Sequence, residues 1–187
     1  GQRCGRLSVV AERGGRRRVA VRVEGGVRDS DPGSGAGEPV ADIRVKSARL
    51  RGVAIGPDLI PQTIDEFPVL CVAAAVAEGE TIISGAEELR VKESDRIATV
   101  SAELRAMGAQ ITEKPDGMVV RGLCTTEANG RLQAARGRSH GDHRVAMSLA
   151  IAGLTASAPT LIDETACIET SFPAFHHTLL ELLTESR

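Results

Sequence analysis

Aromatic side chains are nearly missing from this 187-residue sequence, which has three Phe residues and no Trp or Tyr. Modules that bind single-stranded nucleic acid stack bases on aromatic rings, so this scarcity argues against that class. The net charge is only −2, from 23 basic and 25 acidic residues, so the chain as a whole is no polycation. We therefore expect no nucleic-acid partner. With 42% apolar residues, a core built mainly from Ala, Val, Leu and Ile is expected.

Cysteine pairs and long apolar runs are missing too. None of the four cysteines forms a Cys-x-x-Cys motif; they are Cys4, Cys71, Cys124 and Cys167. This spacing predicts free thiols in a reducing compartment and no zinc site. No apolar stretch reaches membrane-spanning length, and no signal peptide is visible. We expect a cytoplasmic protein with no metal and no membrane partner.

The first 39 residues differ in character from the rest. They include a basic cluster that is either an anion-binding patch or a solvated turn: Arg13, Arg16, Arg17 and Arg18. Alternating valines from Val19 to Val23 and alternating apolar residues around Val45 predict two strands. Residues 25–41 are rich in Gly, Pro, Ser and Asp and predict a loop. Because the chain does not begin with Met, we expect a truncated product or an excised domain.

An internal repeat covers the remainder of the sequence. Asp65 and Asp142 lie 77 positions apart (142 − 65), as do Ser94 and Ser171 (171 − 94). Each aspartate is predicted to open an apolar helix, over about residues 65–77 and 142–154, followed by a strand at 81–83 or 160–162. Helices that are apolar nearly all round belong inside a domain.

Each repeat continues with an amphipathic helix whose apolar residues are spaced by three, four and three positions. In the first repeat these residues are Ile97, Val100, Leu104 and Met107; in the second they are Phe172, Phe175, Leu179 and Leu182. Gly108 is suited to end the first helix in the left-handed conformation. Residues 110–112 and 118–121 predict a hairpin around Pro115-Asp116-Gly117.

Two short segments concentrate charge immediately before apolar runs. Residues 89–96 read Leu-Arg-Val-Lys-Glu-Ser-Asp-Arg, and residues 140–147 read His-Gly-Asp-His-Arg-Val-Ala-Met. Lys92, Glu93 and Arg96 fall within one turn. Two cations and a carboxylate at a helix N-terminus can bind an anion and transfer a proton. A small substrate carrying a phosphate and a carboxylate would suit them.

These segments carry a resemblance to a known family. Together with Ile64-Asp65-Glu66-Phe67-Pro68 and Thr170-Ser171-Phe172-Pro173, they resemble the 5-enolpyruvylshikimate-3-phosphate synthase family over about residues 40–187. The resemblance implies an α/β (α+β) fold of repeated β-α-β-α-β-β units, with parallel helices inside and sheets outside, an inside-out α/β barrel. Residues 40–187 would be the C-terminal domain, with its last two units intact and the preceding one partial. The N-terminal domain would be absent, and residues 1–39 are atypical.

The resemblance also implies a reaction. Members transfer the enolpyruvyl group of phosphoenolpyruvate to the 5-hydroxyl of shikimate 3-phosphate and release phosphate, on the route to chorismate and the aromatic amino acids. The reaction proceeds by addition and elimination, without metal or organic cofactor. The partners would be these two substrates and the missing N-terminal domain. The complete enzyme would be monomeric, and this chain alone would be inactive.

Three residues match catalytic positions of the family. Asp65 would take the proton of the shikimate hydroxyl, although a plain helix N-cap is the alternative interpretation. Glu93 would act as the acid beside the phosphoenolpyruvate methylene. Lys92 would reach both substrates.

Five positions match residues around the substrate charges. Arg96 and Arg144 would grip the phosphoenolpyruvate carboxylate, where a planar guanidinium pairs better than Lys. His143 would lie near the phosphate. Thr170 occupies the place of a family lysine and supplies no charge. Glu88 replaces an asparagine of some members and would repel the shikimate phosphate unless it turns away or pairs with Arg90.

Other functions fit parts of the pattern. The enolpyruvyl transferase that acts on UDP-N-acetylglucosamine shares the fold and the chemistry, but the two charged segments fit it less well. A non-catalytic anion-binding domain is a second alternative. An RNA-processing enzyme on a related repeat fold is disfavoured by the scarcity of aromatic residues and of basic surface.

Overall fold

The computed structural model describes residues 19–21, 45–47, 49–125 and 131–184. The chain divides into two units, Gly1–Arg49 and Leu50–Arg187. In the first unit, strand β1 (Val19–Val21) pairs antiparallel with β2 (Val45–Ser47), which confirms the two predicted strands. The arginine cluster, Cys4 and the predicted loop at 25–41 lie outside the described residues. The domain assignment of residues 40–187 stays a prediction.

The second unit contains a four-stranded sheet in the order β3-β4-β6-β5. Its strands are β3 (Ala54–Ile55), β4 (Glu80–Ile83), β5 (Gln110–Lys114) and β6 (Gly117–Arg121). β3 runs parallel to β4, and the other pairs are antiparallel. Thr81 and Ile83 are buried while Glu80 and Ile82 are exposed, so one face of β4 covers the core. The predicted hairpin is confirmed, with Lys114 opposite Gly117.

Five α-helices are described in this unit. They are α1 (Ile60–Thr63), α2 (Phe67–Ala75), α3 (Arg96–Ala106), α4 (His143–Thr155) and α5 (Phe175–Thr184). α2 and α4 pack against each other, as predicted for the two apolar helices. Cys71, Ala75, Ala146 and Ala152 are completely buried, and such small side chains let two helices approach closely. Three 3-10 turns lie at Glu87–Val91, Leu123–Thr125 and Thr165–Thr170.

Helix α3 follows its predicted pattern closely. The side chain of Asp95 caps the helix by accepting a hydrogen bond from the N–H of Ala98. The four residues predicted for one face are all buried: Ile97, Val100, Leu104 and Met107. Gly108 ends the helix with φ = 84°, the left-handed conformation that its lack of a Cβ allows.

The second repeat is smaller. Strand β7 (Arg136–Arg138) pairs in parallel with β8 (Leu161–Asp163), which lies one residue beyond the predicted strand. α5 begins at Phe175, so the prediction that Phe172 starts the helical face was wrong. Pro173 explains the difference, because proline disfavours the helical conformation of the residue before it. The rings of Phe172 and Phe175 still meet edge to face, 5.9 Å apart.

The start of α2 also differs from the prediction. The N-cap is Glu66 and not Asp65, and it makes no side-chain capping bond. A turn closed by the Glu66 N–H and the Thr63 carbonyl separates α1 from α2. Pro68 fits the first helical turn, where its missing N–H leaves no partner unsatisfied. Asp65 therefore lies outside the helix. Within the described part of the chain, every helix is too short or too polar to cross a bilayer.

Candidate active site

The loop before α4 is held in an uncommon backbone conformation. His140 and Gly141 both have positive φ, at 54° and 74°. The hydroxyl of buried Ser139 fixes this turn by accepting from the Gly141 N–H and donating to the Glu164 carbonyl. Because of this turn, Asp142 arrives at the N-cap position of α4, as predicted.

Asp142 is completely buried and accepts hydrogen bonds on both carboxylate oxygens. Its Oδ1 accepts from the backbone N–H groups of Arg144 and Val145, at 2.9 and 3.3 Å. Its Oδ2 accepts from Arg96 Nε at 2.8 Å and from Ser94 Oγ at 3.2 Å. Burial alone would raise the pKa of Asp142, but the Arg96 guanidinium and these N–H groups lower it. Asp142 therefore joins the starts of α3 and α4.

Arg96 lies at the centre of the cluster with only 1% of its side chain exposed. Its guanidinium donates to three carboxylates: Asp142 at 2.8 Å, Glu93 at 2.6 Å and Asp65 at 3.4 Å. Burial opposes the charged form, but the bond to Asp142 and the charges of Asp142 and Glu93 raise the pKa of Arg96. A buried arginine needs this pairing, because an unpaired buried charge is very costly.

Asp65 belongs to this cluster and not to a helix cap. One of its carboxylate oxygens contacts Arg144 Nη2 at 3.1 Å and the other contacts Arg96. Arg144 also donates from Nη1 to the backbone carbonyl of Asp65 at 3.1 Å. Since 49% of its side chain is exposed, Asp65 remains accessible to a ligand. These contacts contradict the interpretation of Asp65 as a plain N-cap.

Lys92 is paired with Glu88, and their charged atoms are 2.6 Å apart. The alternative pairing of Glu88 with Arg90 is wrong, because Arg90 instead bonds to Asp95, Glu113 and two backbone carbonyls. Glu88 is 65% exposed and Lys92 is 28% exposed, so this ion pair is open to solvent.

Among the described residues, no hydrogen bond or ion pair joins four of the predicted residues to the cluster around Arg96: Lys92, Glu88, His143 and Thr170. His143 is the first residue of α4 and is half-buried, and its ring has no hydrogen-bond partner among the described residues. Thr170 closes the 3-10 turn before α5, where its hydroxyl donates to the Cys167 carbonyl at 2.7 Å. In the described part of the chain, Thr170 contacts none of the charged residues of the cluster.

Metal binding finds no support in the described ranges. No group of three His, Cys, Asp or Glu side chains there is arranged to hold an ion. Cys71, Cys124 and Cys167 are free thiols, and burial raises the pKa of Cys71.

The sequence analysis did not predict that Asp142 holds Arg96 and Ser94. We predicted it only as the residue that opens α4, whereas it also receives Arg96 and Ser94 from a segment 46 to 48 residues away in sequence. The signal was available, since Asp142 stands inside the charged segment between Gly141 and His143. An N-cap aspartate within a charged motif has a second oxygen free for a cation.

Similar solved structures define the class of the fold. Two structures of EPSP synthase from Acinetobacter baumannii superpose with TM-scores of 0.72, at 39% and 35% sequence identity. They cover 86% and 88% of this chain, and 35% of each of those chains. The predicted α/β fold class of the enolpyruvyl transferases is thereby confirmed.

Sequence comparison then gives the family. The model of EPSP synthase (3-phosphoshikimate 1-carboxyvinyltransferase) matches residues 30–179. The 3-phosphoshikimate 1-carboxyvinyltransferases of Geobacter sulfurreducens and Desulforudis audaxviator are 52% and 54% identical over 84% and 83% of the chain. This chain belongs to the EPSP synthase family, and the predicted resemblance is confirmed. It spans 35% of the length of these two relatives.

Proposed function

We propose that this chain forms one wall of an active site that transfers the enolpyruvyl group of phosphoenolpyruvate to the 5-hydroxyl of shikimate 3-phosphate. The observation that carries the proposal is the cluster in which Arg96 and Arg144 meet three carboxylates at the starts of α2, α3 and α4. Such a cluster can hold an anionic substrate and transfer protons beside it. Membership of the family supplies the reaction.

Two exposed carboxylates are suited to the proton transfers. In the addition step, Asp65 accepts the proton of the shikimate 5-hydroxyl while the hydroxyl oxygen bonds to C2 of phosphoenolpyruvate. Glu93 delivers a proton to C3. In the elimination step, the Glu93 carboxylate takes a proton from C3, the C2–C3 double bond re-forms, and phosphate departs from C2 with the electron pair of the broken C–O bond. Both carboxylates contact the Arg96 guanidinium, Asp65 at 3.4 Å and Glu93 at 2.6 Å, and each side chain is 49% exposed.

The cations of the site are already paired before substrate arrives. Arg144 contacts Asp65 and Lys92 contacts Glu88, and all four of these side chains are partly exposed. We propose that the phosphoenolpyruvate carboxylate replaces Asp65 on Arg144, and that substrate oxygens replace Glu88 on Lys92. Exposed ion pairs contribute only about 0–1 kcal/mol, so this exchange costs little. Arg96 stays fixed by Asp142 and would reach the phosphoenolpyruvate carboxylate only where Asp65 or Glu93 moves off its guanidinium.

The outer positions have smaller proposed roles. His143, at the start of α4, is next to Arg144 in sequence and would contact phosphate through its ring. Thr170 would supply a hydroxyl where other family members have a charged lysine, so its contacts with the substrate would be weaker. Glu88 would turn away from the shikimate phosphate when Lys92 releases it.

We also propose that the chain needs a second wall. Residues 1–187 span only 35% of their relatives' length, and domain closure would expel water and assemble the charges. Uncovered, each ion pair with substrate is worth about 1 kcal/mol or less, which predicts millimolar binding at best. The chain alone would then show no transfer. Its partner would be the N-terminal domain of the same enzyme, in a monomeric cytoplasmic protein without cofactor.

A chimera tests the proposed function. This chain would replace the segment it matches in the Geobacter sulfurreducens relative, and phosphate release would be measured with both substrates. We expect turnover, and Glu93→Gln should reduce it by about 10²–10⁴, the usual range for a general acid or base. Glu80→Gln is the matched control, because Glu80 is equally exposed and pairs with Arg121 on the sheet.

The outcomes separate the competing functions. A folded chimera that binds phosphoenolpyruvate without turnover would favour a non-catalytic anion-binding domain. Turnover with UDP-N-acetylglucosamine in place of shikimate 3-phosphate would favour the related transferase. Turnover by the 187-residue chain alone would contradict the proposal that a second wall is needed.

A further inference from the structure

The guanidinium of Arg90, which is 27% exposed, donates four hydrogen bonds. Its Nε donates to the Pro115 carbonyl at 2.6 Å, and Nη2 donates to the Lys114 carbonyl at 2.6 Å and to Glu113 Oε1 at 3.1 Å. Its Nη1 donates to Asp95 Oδ2 at 2.9 Å. Hydrogen bonds to Asp95, and then to Glu113, raise the pKa of Arg90 above its ordinary value. The planar guanidinium thus links three separate parts of the chain.

The hairpin turn that receives Arg90 is itself fixed to the core sheet. Asp116 accepts from the Gly85 N–H through its side chain at 2.9 Å and from the Ala86 N–H through its carbonyl at 2.7 Å. At Gly117 an added Cβ would lie only 2.1 Å from the Ile83 carbonyl oxygen, so the two backbones are in close contact. The turn is therefore a rigid support.

Asp95 connects this support to α3. One of its oxygens receives Arg90 and the other caps the helix by accepting from the Ala98 N–H at 3.0 Å. Residues 92–94 lie between Arg90 and Asp95 and belong to no helix or strand. Arg90 and Asp95, which flank residues 92–94, therefore set the position of this segment. Lys92 and Glu93, the residues proposed to bind and to protonate the substrate, lie within that span.

We propose that Arg90 is a positioning residue, which holds the Lys92-Glu93 segment in place by fastening it to the hairpin turn at residues 113–116 and to the cap of α3. This inference rests on the proposed function, in which Lys92 and Glu93 meet the substrate. Lysine cannot replace Arg90. The single ammonium nitrogen of lysine has three N–H donors, whereas the planar guanidinium directs separate donors to two carbonyls and two carboxylates.

The chain provides a matched control for this residue. Arg105 donates from Nε and Nη2 to the Ile111 carbonyl, at 3.1 and 2.9 Å, so it also fastens α3 to the same hairpin. It does so at the far end of the helix, away from residues 92–94. Arg105→Lys therefore removes a comparable arginine fork without releasing the proposed site.

The test uses the full 187-residue chain and two measurements. Amide hydrogen exchange is followed at Leu89 and Ala98, and the affinity for phosphoenolpyruvate is measured by NMR titration in the millimolar range. For Arg90→Lys we expect at least tenfold faster exchange at both amides and at least threefold weaker binding. For Arg105→Lys we expect less than a twofold change in either measurement. If Arg90→Lys does not fold, Glu113→Gln removes one partner and should give a two- to fivefold change in exchange.

The outcomes keep the two proposals apart. Unchanged exchange in Arg90→Lys, or faster exchange with unaltered phosphoenolpyruvate affinity, would overturn the positioning role. Equal effects in Arg105→Lys would also overturn it, because the effect would then be general stability. If the unaltered chain shows no response to phosphoenolpyruvate while the exchange difference persists, the chain does not bind this substrate without its second wall. The fastening of residues 92–94 by Arg90 then stands, and the chimera alone decides the substrate.

Discussion

The two repeats, residues 50–125 and 131–184, share an order of elements but differ in how much of their surface is buried. In the first, α3 buries the whole apolar face from Ile97 to Met107. In the second, α5 carries only the last three residues of the corresponding pattern, from Phe175 to Leu182, and buries none of its residues; Leu182 is 59% exposed. Among the described residues, the first repeat has a four-stranded sheet and the second a two-stranded one. An amphipathic pattern thus specifies a helix, whereas burial depends on a neighbouring surface.

The two aspartates at corresponding positions of the repeats, Asp65 and Asp142, also differ in burial. Asp142 is completely buried, caps α4 and holds Arg96. Asp65 caps nothing and is half-exposed between two arginines. One aspartate of the pair is buried and structural, and the other is open to solvent. Equivalent sequence positions therefore do not imply equivalent roles.

Replacing these aspartates should give the largest contrast. Asp142→Ala leaves the buried guanidinium of Arg96 without its closest buried partner, and breaking a buried pair costs about 3–5 kcal/mol. Asp65→Ala should cost about 1 kcal/mol or less, because water reaches that site. Urea unfolding monitored by circular dichroism measures both. Equal losses would contradict the division into a structural and an accessible aspartate.

Truncation of a leucine in each amphipathic helix should give the next contrast. Leu104 in α3 is 1% exposed, so Leu104→Ala should lower the free energy of unfolding by about 3 kcal/mol through lost burial and a cavity. Leu182→Ala in α5 should change it by about 0.5 kcal/mol or less. The same unfolding experiment compares them. A large loss from Leu182→Ala would mean that the face of α5 is covered in solution.

Acid should produce the smallest contrast. The pKa of Asp142 is lowered in the folded state, so its contribution to stability is present above the unfolded value of 3.8 and is lost as pH falls through the folded value. The difference in unfolding free energy between the unaltered chain and Asp142→Asn should therefore be largest near neutral pH and shrink below pH 3.8. Asp65→Asn is the control. A difference that does not change with pH would show that Asp142 acts through its shape and not its charge.

Local patterns predicted much of the fold. The spacing from Ile97 to Met107, the turn at Pro115-Asp116 and the start of α4 at Asp142 each depend on nearby residues, and each was confirmed. The error at Phe172 had a local cause in Pro173, whereas two others arose where a distant contact decided the outcome. Asp65 has the sequence context of a cap, but Arg144, 79 residues away, binds its backbone carbonyl. Likewise, the sequence places both Lys92 and Arg90 near Glu88. Arg90 does not pair with Glu88 because it donates to the backbone carbonyls of the hairpin.

The bond between Arg96 and Asp142 also bears on how the molecule unfolds. Chains built of repeats often open one repeat at a time, because each repeat interacts chiefly with its neighbours. Here the guanidinium comes from one repeat and its most buried carboxylate from the other. Opening either repeat alone would leave a charge enclosed in the half that stays folded. The two repeats should therefore melt in a single cooperative transition, with amides of α3 and α4 exchanging at the same global rate.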